Sequence, residues 1–236
     1  MTGTLLNVAA ILIGGGLGLL FGSRIPERLK RTVVAGMGLF TAAMGLQMFL
    51  KTTNPLIVLG SLVLGTLLGE WWRIEEGIHH LGGWLERRFT RGPATGSGSR
   101  FARGFLTASL LFCVGPLAIL GAISDGLRGD YSLLAVKSVL DGFASIAFAS
   151  TLGVGVLFSS VIVFIYQGSI SLLGGRLSAV LSDAMIAEMS ATGGVILFGL
   201  ALANLLELKP IRVGNFLPAL ALAPLGVWLL SHLPFR

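Results

Sequence analysis

Apolar runs of nearly bilayer length follow one another from Thr4 to Leu230, separated by short polar breaks. A helix needs about 20 mostly apolar residues to cross the hydrocarbon core. In lipid, every backbone N–H and C=O must find its partner within the protein, so successive spans of this kind fold as a helix bundle. The expected fold class is therefore all-α, a polytopic transmembrane bundle of 7–8 spans. Composition agrees: 54% of the 236 residues are hydrophobic and 12% are charged, about half the charge of a soluble domain, and mean hydropathy is +0.87. The formal charge of +6 does not point to nucleic acid, because the Lys and Arg residues cluster in loops beside the spans, as on the cytoplasmic side of a membrane. One cysteine, Cys113, lies in an apolar segment, which excludes an intramolecular disulfide and a thiolate metal cluster.

In chain order, the expected spans are Gly3–Gly22, Val33–Leu50, Leu56–Trp72, Gly104–Ser124, Tyr131–Thr151, Gly153–Leu173, Glu188–Leu206 and Val213–Leu230. The first begins without a charged leader and reads as an uncleaved signal anchor. Gly14, Gly18 and Gly22 recur every fourth residue, as do Gly65 and Gly69, and both sets clear a helix face for close packing. The first set is also the expected dimer face of a homo-oligomer. The basic loop Ser23–Thr32, with Pro26 placed to open a helix, is expected in the cytoplasm. So is the segment 73–103, in which Ile74, Ile78, Leu81, Leu85 and Phe89 outline an amphipathic surface helix anchored by Trp84. Glu75 with His79, and Glu76 with His80, have metal-ligand spacing, but interfacial solvation explains them equally well and no metal or other cofactor is expected. Gly92–Arg100 reads as a flexible linker. The N-terminus is expected outside a bacterial inner membrane. The basic-residue bias fits eight spans, or seven with Tyr131–Thr151 re-entrant.

Within that apolar background, Lys137, Asp141 and Ser145 stand four residues apart and form one polar stripe on a helix. A charge at mid-bilayer costs ~3 kcal/mol on insertion scales, so such residues face a partner, a cavity or a permeation path. Glycine after aspartate, at Asp141–Gly142, suggests local unwinding, and Gly115–Pro116 suggests a kink in the preceding span. The two central segments, 104–151, are thus expected to be interrupted helices. Asp125, Glu188, Asn7, Gln167 and Asn204 join the stripe as candidate ion- or substrate-binding residues, although a buried amide more often bridges helices. No catalytic residue is expected.

Gly22–Met37 aligns without gaps with Gly174–Met189, and Pro55 and Gly69…Trp71 find counterparts at Pro210 and Gly226…Trp228. Residues 1–72 and 153–236 therefore read as three-span repeats within a single integral membrane domain. With an even number of spans between matching elements the repeats are inverted, which is a transporter-like architecture.

The opening GTLLNVAAILIGGGLGLLFGSRIPERLK, the blocks FCVGPLAILGAISDGL and KSVLDGFASIAFASTLGVGVLFSS, and then YQGSISLL and KPIRVGNFLPAL together resemble the YqgA-like family of uncharacterised bacterial inner-membrane proteins. The resemblance covers essentially the whole chain, and its middle block is the most specific part. It implies a multi-span inner-membrane protein of a domain-of-unknown-function family that is loosely labelled a sodium channel or pump, one member of which is associated with biofilm formation. It brings no catalytic or ligand residues.

Three functional classes follow. First is a small-ion (cation or proton) channel or secondary transporter with its polar site on the central helices, carried by Asp141, Lys137, Asp125 and Ser145. The second is a non-transporting scaffold or assembly protein. An intramembrane enzyme ranks last, because no nucleophile–base pair or His-rich constellation is present. The expected partners are the lipid bilayer, a second copy of the chain and a small inorganic ion, with no nucleic acid.

Overall fold

A computed structural model describes residues 1–22, 24–89 and 100–232; the expected linker falls outside them except for Arg100. These residues form α1 (Thr2–Gly22), α2 (Glu27–Phe49), α3 (Pro55–Trp72), α4 (Ile74–Phe89), α5 (Arg100–Cys113), α6 (Pro116–Arg128), α7 (Ser132–Leu152), α8 (Gly155–Leu172), α9 (Gly174–Val180), α10 (Asp183–Leu200) and α11 (Pro218–His232). No strand occurs among the described residues. A π-helical turn, Ala201–Leu205, extends α10, and a short 3₁₀ turn, Val213–Phe216, precedes α11.

Local chemistry sets several boundaries. Asn54 Oδ1 accepts from Leu56 N–H at 3.2 Å and Pro55 takes the first helical position, which starts α3. Arg73 ends α3 in the left-handed region at φ 51°, separating it from the amphipathic α4. Gly153, at φ 84°, ends α7, and α8 begins two residues later. The expected loop Ser23–Thr32 is shorter than the charge pattern suggested: helix resumes at Glu27, supported by the Glu27–Lys30 pair (2.7 Å) one turn apart.

Seven helical segments among the described residues are long and apolar enough to cross a membrane. α5 and α6 together pass the same test, bent by 60° where Pro116 follows Gly115, as the missing proline N–H requires. The other expected interruption is corrected: α7 runs unbroken through Asp141–Gly142. One glycine costs a helix only about 1 kcal/mol, and α7 is held along its length by α1.

The chain divides into two compact units, Met1–Met37 with Gly77–Ser178, and Gly38–Glu76 with Ala179–Arg236. In the first unit α1 and α7 run parallel in constant register. A Cβ at Gly14 would lie 2.2 Å from the Gly142 carbonyl oxygen, at Gly18 2.3 Å from that of Ile146, and at Gly22 3.1 Å from Ser150. The glycine face is thus occupied within the chain, which corrects its assignment as the dimer face. α8 runs antiparallel to α1, with Leu157 against Gly15 and Met1 against Gly168. The bent pair follows α8 from end to end, Phe101 against Gly155 and Gly126 against Ser171. Because the 18 residues of α8 rise about 27 Å, a pair that follows it from end to end has the length of one bent span, which would be the eighth.

In the second unit α3 and α11 are antiparallel, Gly65 meeting Ala219 and Gly69 meeting Asn215. The second half of α2 and α10 are antiparallel too, Gly38 meeting Leu206 and Gly45 meeting Gly194 and Phe198. These directions agree with eight crossings. With seven, α3 and α11 would be third and seventh and would run parallel. Leu20, Phe40, Leu56 and Phe143 point away from the protein, as side chains facing lipid do.

Candidate functional site

On α7 the sequence separates two faces. Val136, Val139, Leu140 and Phe143 are exposed, while Lys137, Asp141 and Ser145 are buried. Asp141 lies next to the midpoint of the 21-residue helix, at a depth where lipid offers no hydrogen bonds. Lys137 Nζ donates to Asp141 Oδ2 one turn away, and its ammonium stands 5.9 Å from the centre of the Phe112 ring, within range of a cation–π attraction. Phe112 is the penultimate residue of α5, so the break between α5 and α6 lies beside this ion pair.

α1 and α8 complete the cluster. Asn7 Nδ2 donates to Asp141 Oδ2 at 3.0 Å and to Gln167 Oε1 at 3.2 Å, and both amides are fully buried. Asp125 stands at the start of α1. Its Oδ2 accepts from Gly3 N–H at 3.1 Å and lies 3.1 Å from the Met1 amino group. A carboxylate there satisfies an orphan donor of the helix and complements its dipole.

The network is incompletely paired. Asn7 Oδ1, Gln167 Nε2, Asp125 Oδ1, Ser145 Oγ, Thr4 Oγ1, Ser109 Oγ and Ser171 Oγ are buried without a protein partner, and all belong to the first unit. Each such atom costs about 1–3 kcal/mol if nothing bonds to it, and seven together would rival the ~5–15 kcal/mol stability of a whole domain. By contrast, Ser159 and Ser160 bond the backbone carbonyls of Val156 and Leu157 at 2.6 Å.

The remaining candidates lie in the second unit. Glu188 is saturated: Thr52 Oγ1 donates to Oε2 at 2.5 Å, and Thr53 N–H, Thr53 Oγ1 and Asn54 N–H donate to Oε1 at 2.8, 2.8 and 3.0 Å. It therefore holds the turn before α3. Replacing Glu188 by Ala lowers thermal stability by about 3 kcal/mol, against less than about 0.5 kcal/mol for Ala at the exposed Lys51, as measured by unfolding in detergent. Asn204 is half-buried in the π-helical turn. Glu75, read from sequence as interfacial, accepts from Gly214 N–H at 2.5 Å while its own N–H donates to Asn215 Oδ1 at 2.7 Å. Asp125, Glu188 and Glu75 are thus three acidic anchors that hold backbone donors remote in sequence. Thr4, Ser109, Ser171 and Phe112 had no signal in the sequence, since an isolated hydroxyl in an apolar helix ordinarily bonds its own backbone.

Seven helices long and apolar enough to cross a membrane, or eight spans with the bent pair counted as one, and a buried, partly paired polar cluster at the middle of α7 define a polytopic helical membrane protein. Residues 2–228 match the model of the family described as "Protein of unknown function (DUF554)", and the chain belongs to that family. It is 32% identical over 222 residues to the uncharacterized protein YqgA of Escherichia coli (strain K12), covering 94% of each chain. It is 31% identical over 240 residues to the uncharacterized membrane protein YdfK of Bacillus subtilis (strain 168), covering both chains completely. No solved structure matches.

Proposed function

We propose that the chain is a transport protein for a small cation or proton, a channel or secondary transporter in a bacterial inner membrane, with Asp141 as its central binding group. The observation that carries this reading is the buried Lys137–Asp141 pair at the middle of α7, beside the break between α5 and α6. Ionisable groups at that depth are expensive and ordinarily mark a pathway. Broken spans beside such groups supply free backbone carbonyls and helix ends to a translocated ion. An arriving cation competes with the Lys137 ammonium for Asp141, and Asn7 and Gln167 steady the carboxylate.

The antiparallel packing of α1 with α8, α2 with α10 and α3 with α11 supports an inverted repeat, because these are the pairs matched in sequence. In this reading α1 begins outside, and α4 lies on the cytoplasmic surface.

The test is flux in proteoliposomes under sodium, potassium, chloride and proton gradients. The native protein moves a cation, and Asp141→Asn lowers that flux at least about 100-fold, equivalent to ~2.7 kcal/mol. Equal flux in the two proteins defeats the assignment.

The scaffold alternative has its own support, since Asn7 hydrogen-bonds across three helices and would serve as interhelical glue. Under that reading Asp141→Asn changes stability, and no gradient drives flux in the native protein.

A further inference from the structure

Several helix ends of the first unit share one face of the membrane. Gly22 at the end of α1 meets Ser150 near the end of α7, Gly155 at the start of α8 meets the Phe101 carbonyl at the start of α5, and Gly104 meets Leu152. α2 opens on Glu27 shortly after α1 ends, and the positive charges of Arg31 and Arg100 both reach the Glu27 carboxylate. At these helix ends Arg24, Arg28, Lys30, Arg31, Arg100 and Arg103 stand against one acid, Glu27. Lys30 occupies that carboxylate at 2.7 Å. Among the described residues, no carboxylate forms an ion pair with the exposed Arg24, Arg28, Arg31 or Arg100. At the opposite ends of the same helices, Arg128 and Arg176 are accompanied by Asp125 and Asp130.

The positive charges also stand against local preference. A helix N-terminus favours acidic side chains, yet α5 opens on Arg100 and Arg103 with no acid in its first turn. Arg28 and Arg31 are one turn apart on α2, where like charges repel. The stem of Arg100 lies across the turn from α7 to α8, its Cδ 3.8 Å from where a Cβ on Gly153 would stand. Beside these arginines the surface is apolar, with Leu20, Phe21 and Leu29 exposed.

We infer that this face binds an anionic phospholipid, with Arg28, Arg31 and Arg100 holding the headgroup phosphate and the apolar surface of Leu20, Phe21 and Leu29 against the acyl chains. Guanidinium groups donate in pairs to phosphate oxygens, and a cluster of basic residues at the end of a membrane span attracts acidic headgroups. One bound anion relieves both the repulsion within the cluster and the unfavourable charge at the start of α5. A soluble anion answers the charges alone, whereas a phospholipid covers the exposed apolar residues with the same molecule. In the orientation of the transport reading this face is cytoplasmic, but the binding does not depend on anything being transported.

The test is lipid binding to the purified chain in neutral detergent, followed by native mass spectrometry as dioleoylphosphatidylglycerol or dioleoylphosphatidylcholine is added. Phosphatidylglycerol binds at least about tenfold more tightly than phosphatidylcholine, and the preference shrinks as salt is raised. Arg100→Gln alone lowers phosphatidylglycerol affinity about fivefold, and the triple variant Arg28→Gln, Arg31→Gln, Arg100→Gln abolishes the preference. The control variant Arg128→Gln, Arg176→Gln, altered at the opposite helix ends, changes the affinity by less than about twofold. A native-like elution volume and unchanged phosphatidylcholine binding in each variant separate loss of the site from misfolding. Equal affinity for the two lipids, an intact preference in the triple variant, or an equal loss in the control variant overturns the lipid site. Displacement of the lipid by equimolar glycerol phosphate, which has no acyl chains, overturns it too and assigns the arginines to a soluble phosphate. Selective lipid binding without flux in the native protein retains the site and removes the transport reading. Flux without lipid preference does the reverse.

Discussion

Replacing Lys137 by Met lowers the unfolding free energy of the protein in detergent by about 3–5 kcal/mol, and replacing Asp141 by Asn as well restores most of it. The single change leaves the Asp141 carboxylate buried at mid-membrane with only the Asn7 amide to answer it. The double change leaves a neutral pair in which the introduced amide oxygen still accepts from Asn7 and Met fills the volume of the lysine stem beside Phe112. A buried ion pair contributes little net stability over a neutral replacement of similar shape, whereas half a pair is costly. The measurement is a double-mutant cycle on thermal or denaturant unfolding. Additive effects would mean that Lys137 and Asp141 do not depend on one another, contrary to their placement one turn apart on the buried face of α7. The cycle also separates stability from the proposed transport: the double variant folds well and, under that proposal, lacks the carboxylate that would carry a cation.

The second large effect is a reversal of sign two residues apart on α1. Gly14→Ala places a methyl group 2.2 Å from the carbonyl oxygen of Gly142, and Gly18→Ala places one 2.3 Å from that of Ile146. Both obstacles are backbone on a packed helix, so α1 and α7 must separate along their whole interface. Each change costs at least about 1–3 kcal/mol, the range for overpacking, and the double change costs more than either. Gly16→Ala meets nothing within 4 Å and gains about 1 kcal/mol of helix propensity. Melting temperatures of the three single variants decide the matter. If Gly14→Ala and Gly16→Ala shift it alike, the close parallel contact is absent in the membrane.

The spans are legible in the sequence because each run of apolar residues must close its hydrogen bonds within one helix, and the polar stripe is legible because Lys137, Asp141 and Ser145 are bound by the helical repeat. The glycine periodicity announces a close approach. It does not announce the partner, because the Gly14 and Gly142 backbones meet across a long stretch of intervening chain. Asp141–Gly142 misleads for a related reason: the preference of one glycine is small beside the packing of a 21-residue helix against its neighbour. Pro116 is a dependable signal because a missing N–H is a local property that packing does not restore. Asn7 with Gln167, and the carboxylates of Asp125, Glu75 and Glu188 holding remote backbone donors, depend on tertiary contacts with no sequence signature. Each of those residues looks, by itself, like an isolated polar residue in or beside a span.

The partnership of α1 with α7 also sets an order of events during synthesis. About 110 residues separate the end of α1 from the start of α7, and at ~5–20 residues per second the ribosome needs roughly 5–20 s to make them. Throughout that interval α1 waits in the membrane with its glycine face against lipid and Asn7 unanswered. The charged residues avoid such a wait, because Lys137 and Asp141 enter on the same helix and neutralise one another before any neighbour arrives. A nascent chain stopped before Ser132 holds a half-finished interface, the form in which membrane quality-control proteases find their substrates.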